Sequence, residues 1–86
     1  MDVDFTKAFN KQFQKLPSKQ QKQARAAVAL FVQDVTATSL RNHGLKGEWQ
    51  GYRSITAGGD LRLHFEVITD NKVLFVAVGS HSQLYK

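Results

Sequence analysis

Eighty-six residues, 42% of them hydrophobic, are enough for one domain around one core and too few for two. The absence of cysteine excludes a disulfide framework and a thiolate metal site, and fits a reducing cytosol. A net charge of +5 favours encounter with polyanions, either nucleic acid or an acidic protein, although surplus lysines also serve solubility.

The N-terminus MDVDFTKAFNKQF contains no uninterrupted apolar stretch, so neither a signal peptide nor a membrane span is expected, and the protein reads as soluble and cytoplasmic. Asp2 to Phe5 suits a short edge strand. Phe5, Phe9, Phe13 and Leu16 then recur on one face of a helix that Leu16-Pro17-Ser18 breaks. Ser18 followed by Gln21 reads as a capping box that opens a second helix running to about Val35. The apolar positions of this helix, Ala24, Ala27, Val28, Phe31, Val32 and Val35, form a stripe wide enough to lie on a sheet.

From Thr36 to Glu48 the periodicity vanishes, and a loop carrying Arg41, His43 and Lys46 is expected. Three strands follow as a meander: Gly51 to Ala57, Leu61 to Val67 after the Gly58-Gly59 turn, and Lys72 to Gly79 after a turn at Thr69 to Asn71. The last strand is apolar on both faces and should be interior to the sheet. The whole reads as an α+β fold over residues 1–86, a single domain with two N-terminal helices packed on one face of a small twisted antiparallel sheet.

On the second meander strand Leu61, Leu63, Phe65 and Val67 alternate with Arg62, His64 and Glu66. The helices should cover the leucine face and leave the charged face open. If the flanking loops fold over that face, His43 and His81 converge near Asp60 and Arg62. Cleaving RNA without a metal requires a base for the 2′-hydroxyl, an acid for the leaving 5′-oxygen and positive charge at the phosphate. Histidine, aspartate and arginine supply these roles, since a reference pKa of about 6.5 lets histidine act either way and arginine forks onto two phosphate oxygens. Tyr85 suits stacking on a base.

Each of these residues also has a plainer reading. Arg53, Arg62 and His64 fit solvated or structural strand positions, Asp60 a turn former, and Tyr85 and Trp49 apolar anchors. The three histidines lie in no close metal-binding pair, so no metal and no cofactor are expected.

The blocks LRNHGLKGEWQGYRSI, DLRLHF and VGSHSQLY, in that order, resemble those of YafQ-type toxins in the RelE/ParE superfamily over nearly the whole chain. The resemblance implies ribosome-dependent endonuclease activity on messenger RNA and a cognate antitoxin that restrains it. His43, Asp60 and His81 fall at the family's catalytic positions, Tyr85 at its C-terminal aromatic position, and Arg62 at an arginine that RelE-type toxins place on the scissile phosphate. The implied roles are His81 as general acid, Asp60 or His43 as base and Arg62 on the phosphorane. Arg41, Lys46, Arg53 and His64 are candidates for RNA contact.

Two positions depart from the pattern: Thr56 replaces a histidine and Leu61 a tryptophan. The alternatives are a ParE-like gyrase inhibitor, a decayed toxin that only binds antitoxin, or a general RNA-binding module.

Overall fold

The fold is drawn from a computed structural model that describes residues 1–85. Strand β1 (Asp2–Phe5) is followed by helices α1 (Lys7–Gln14) and α2 (Ser18–Gln33). Then come the two-residue strand β2 (His43–Gly44), the meander β3 (Arg53–Thr56), β4 (Leu61–Thr69) and β5 (Lys72–Ser80), and a terminal turn of helix, α3 (His81–Leu84). The five strands lie in the order β1-β5-β4-β3-β2.

The sheet is mixed. The meander and β2 pair antiparallel as expected, but β1 runs parallel to β5, with Val3 opposite Val73 and Phe5 opposite Phe75. The two intervening helices and the meander return the chain beside β1 in the same direction, which a hairpin cannot do. Beyond Phe75, where β1 has ended, side chains of the helical segment take over the free edge of β5. Val78 N–H donates to Gln12 Oε1 at 2.9 Å, and Thr6 Oγ1 donates to Val76 O at 3.4 Å.

Thr6 is also the N-cap of α1, its hydroxyl accepting from Phe9 N–H at 3.1 Å, so Phe5 belongs to β1 and not to the helix. The capping box expected at Ser18 and Gln21 does not form. Pro17 occupies the cap position of α2 and Ser18 is its first helical residue. The Gln21 amide instead donates to Phe13 O at 3.1 Å and Gln14 O at 3.4 Å, tying the start of α2 to the carbonyls at the end of α1.

Both helices cover one sheet face. Phe9, Ala24, Ala27 and Phe31 meet Ile55, Leu61, Leu63, Phe65, Val73, Phe75 and Val78 in one continuous core. Phe75 is its hub, with ring centroids 5.6 Å from Phe5, 5.9 Å from Phe9, 5.6 Å from Phe31 and 5.4 Å from Phe65. A register shift in the β4–β5 pairing places His64 opposite Ala77 but Phe65 opposite Phe75. The residue skipped, Val76, lets both Phe75 and Val78 face the helices although their spacing is odd. Val67 was expected on the covered face, but it lies beyond the helices and is 52% exposed. Among the described residues no helix is long and apolar enough to cross a membrane.

Candidate functional site

The sheet face turned away from α1 and α2 carries the polar residues. Strand register builds them into two rows. His43 pairs with Ser54, Ser54 with His64, and His64 with Ala77; along the same face Thr56 pairs with Arg62 and Arg62 with Gly79. Asp60 and His81 close the end of the β4–β5 pair, because Leu61 lies opposite Ser80.

The Asp60 carboxylate holds the end of this face together. Its Oδ2 accepts the His81 backbone N–H at 3.3 Å, and its Oδ1 lies 3.8 Å from Arg62 Nε. His81 starts α3 because Ser80 and Gln83 form a capping box: Ser80 Oγ accepts from Gln83 N–H at 3.2 Å, and Gln83 Oε1 accepts from Ser80 N–H at 2.8 Å. Gly79 admits this turn, since a Cβ there would meet Gln83 Oε1 at 2.9 Å. One helical turn on, Tyr85 stacks on the His81 ring with centroids 4.5 Å apart and planes 27° apart. The sequence-predicted residues Asp60, Arg62, His81 and Tyr85 are thus brought together.

His43 sits on the same face at the opposite edge, on the short strand β2, where the sequence shows no strand period. Its Nδ1 lies 2.8 Å from Arg41 O. A carbonyl only accepts, so Nδ1 carries a proton, and in the neutral ring the lone pair is on Nε2. Arg41 takes the left-handed conformation, φ 50°, that aims this carbonyl at the ring. Arg41 and Lys46 are exposed on the loop, as anticipated.

Two candidates for RNA contact lie apart from this face's open surface. Arg53 shares strand parity with the buried Ile55 and so points to the helix side of the sheet. There Arg53 Nε donates to Asn42 Oδ1 at 2.9 Å, and Asn42 Nδ2 donates to Val35 O at 3.1 Å, bracing the loop against the end of α2. His64 was expected on an open face, and it does alternate with the core residues, but it is 0% exposed. Trp49 closes over it edge-on at 4.4 Å, and Tyr85 flanks it at 5.5 Å. A sealed ring offers nothing to RNA in this state.

Trp49 is the site residue that the sequence reading passed over as a plain anchor. Its indole N–H donates to Leu84 O at 3.0 Å, tying the loop to α3 above His64. The signal was a lone tryptophan in a polar, glycine-flanked stretch, GEWQG, where a large apolar ring must find cover. Of the two departures from the family pattern, Thr56 turns its hydroxyl to Leu61 O at 3.3 Å, while Leu61 is 2% exposed in the core and faces away from this site.

Burial pushes the His64 imidazole down to about 4, aided by the Arg62 guanidinium and by His43 and His81 in their protonated forms. It is therefore neutral at pH 7. Between about pH 6.5 and 4 the unfolded chain binds a proton that the folded one refuses, so stability is full above the upper value and falls as pH drops through this window, by on the order of 3 kcal/mol. Chemical denaturation of wild type and His64→Phe at pH 7.5 and pH 4.5 should show the acid loss shrinking in the variant; an identical loss in both would place its origin elsewhere.

An apolar furrow on the helix layer, lined by Phe5, Phe9, Phe13, Ala24 and Val28, holds no group for acid–base chemistry. Among the described residues no three His, Cys, Asp or Glu side chains gather at metal-binding distance.

An α+β fold of this order is shared by small toxins whose structures superpose on this chain. YafQ from E. coli matches with a TM-score of 0.82 at 19% identity, covering 99% of this chain and 98% of its own. The E. coli DinJ–YafQ toxin-antitoxin complex matches at 0.79 with 20% identity, over 99% and 97%. A YoeB/ParE toxin from Agrobacterium tumefaciens matches at 0.75 with 15% identity, over 94% and 99%. No curated protein sequence matches significantly. The profile described as "Bacterial toxin of type II toxin-antitoxin system, YafQ" matches residues 1–86. The chain belongs to this YafQ toxin family.

Proposed function

We propose that this toxin is a metal-independent endoribonuclease that cuts messenger RNA on the ribosome and is silenced by a cognate antitoxin. The observation that carries the reading is the assembly of Asp60, Arg62, His81 and Tyr85 at one end of the sheet, with His43 on the same face. An acid, a base, a permanent cation and a stacking ring are the parts this reaction needs. A protein that only binds has no use for them together.

His43 is the better base. In the neutral ring its Nε2 offers a lone pair, whereas both Asp60 oxygens face donors within the protein, so Asp60 is a positioning residue that sets His81 and Arg62. Nε2 takes the 2′-hydroxyl proton as that oxygen bonds to phosphorus. The bond from phosphorus to the 5′-oxygen breaks as His81 gives that oxygen a proton, and Arg62 neutralises the phosphorane oxygens. The products are a 2′,3′-cyclic phosphate and a 5′-hydroxyl.

Mapping the product ends tests the chemistry, because a 5′-phosphate would show attack by water instead. His43→Ala should lower the cleavage rate about 100-fold. Asp60→Asn, which keeps an oxygen for His81 N–H, should retain activity within about fivefold. If Asp60→Asn proves as damaging as His43→Ala, Asp60 is the base.

The antitoxin is expected to be an acidic or amphipathic segment that folds onto the basic toxin, as the +5 charge invites. DinJ in complex with E. coli YafQ is the corresponding arrangement in a relative. The rival reading is a toxin that binds without cutting, and Thr56 favours it, since its hydroxyl is engaged with Leu61 O and it transfers no proton.

A further inference from the structure

Beneath Trp49 and Tyr85 lies hydrogen-bonding capacity that nothing uses. Among the described residues, His64 Nδ1 and Nε2 and Ser54 Oγ are buried without a hydrogen-bond partner. His64 is 0% and Ser54 1% exposed, and the two face each other across β3 and β4. Buried polar atoms are rarely left unpaired, and a phenylalanine or leucine at position 64 would fill the space without that penalty. Opposite His64 on the β5 side stands the small side chain of Ala77.

The cover is flanked by two glycines in the left-handed region. Trp49 rides on the turn Gly47–Trp49, bounded by Gly47 at φ 67° and Gly51 at φ 94°, with nothing within 4 Å of a Cβ at either glycine. Glycines at both ends let the segment swing without backbone strain. The indole N–H to Leu84 O is its side-chain tie to the terminal helix.

We propose that this is a latent nucleobase subsite: the Gly47–Gly51 segment lifts, a base stacks against Trp49 or Tyr85, and His64 with Ser54 reads the base edge. The inference rests on the RNA reading above in taking RNA as the ligand. The chemistry of the pocket selects the base over the phosphate. A neutral imidazole presents one donor and one acceptor, a hydroxyl presents both, and these match the edge of an uncharged planar ring. A phosphate would want the cation that burial and the neighbouring Arg62 charge deny to His64. The flanking aromatic rings supply the stacking surfaces on which single-stranded bases are held. Because Arg62 lies two residues along β4 on the same face, the base read here would sit beside the scissile phosphate.

Trp49 is the sole tryptophan of the chain, so its emission reports the lifting directly. Uncleavable 2′-deoxy trinucleotides of each of the four bases are titrated into wild type, His64→Phe and Ser54→Ala, with thermal unfolding of all three recorded. Wild type should show saturable emission changes with affinities spread about tenfold between best and worst base. In both variants the spread should fall below about threefold, and His64→Phe should unfold at the same or a higher temperature. A spread unchanged in the variants, or no emission change in wild type with any trinucleotide, overturns the subsite. The readout does not depend on cleavage. Base-dependent emission without any cutting of ribosome-bound message would sink the nuclease reading and leave the subsite standing; cutting with its sequence preference intact in His64→Phe would do the reverse.

Discussion

His81→Ala is expected to abolish growth arrest on expression and to slow cleavage of ribosome-bound message by a factor of about 10² to 10⁴, the usual range for losing a general acid. The side chain is exposed at the first position of α3, and its backbone N–H, which stays in the variant, is what Asp60 holds. Stability should therefore change by no more than about 0.5 kcal/mol. Tyr85 loses its stacking partner, yet it keeps its backbone hydrogen bond to residue 81 and its contact with His64. Circular dichroism and a melting curve beside the kinetic assay make the case: a folded protein without activity places His81 in the chemistry. A variant that still arrests growth supports a toxin that works by binding alone.

Phe75→Ala should produce the largest loss of stability, about 3 to 5 kcal/mol. This ring touches four other phenylalanines from β1, α1, α2 and β4, so its removal opens a cavity where every layer of the fold meets. For a domain of this size such a loss is a large part of the total, which commonly lies at about 5 to 15 kcal/mol. The midpoint of urea denaturation should fall accordingly, and toxicity should fade through loss of folded protein. A small shift would mean that neighbouring rings collapse into the space.

Most of the elements could be read from periodicity: Ala24, Ala27 and Phe31 of α2 and Leu61, Leu63 and Phe65 of β4 are buried where the 3.6 and 2.0 periods place them. Val32 and Val67, expected on the same faces, are exposed, and α2 ends at Gln33, short of Val35. What escaped is what periods do not encode. Two residues, His43 and Gly44, are too few to show alternation, yet they form β2 and so bring His43 onto the site face. The parallel pairing of β1 depends on contacts some seventy residues apart. The skipped Val76 changes which residues of β5 face the helices, and a run of apolar side chains on both faces hides it.

The site divides in the same way. The grouping of Asp60, Arg62, His81 and Tyr85 rests on the family resemblance, since spacing does not fix which loops meet; in the fold the first three lie at one end of adjacent strands and Tyr85 stands one helical turn after His81. The burial of His64 was not legible, since its cover comes from Trp49 fifteen positions earlier and Tyr85 twenty-one later. The side of the sheet that Arg53 takes could have been read from its parity with Ile55.

The most direct test of RNA cleavage on the ribosome is a short message presented on stalled 70S ribosomes and free in solution, with wild-type toxin and His81→Ala side by side. Cutting that requires both the ribosome and His81, and that leaves 2′,3′-cyclic phosphate ends, is the predicted result. A folded wild-type protein that leaves the ribosome-bound message whole would contradict it.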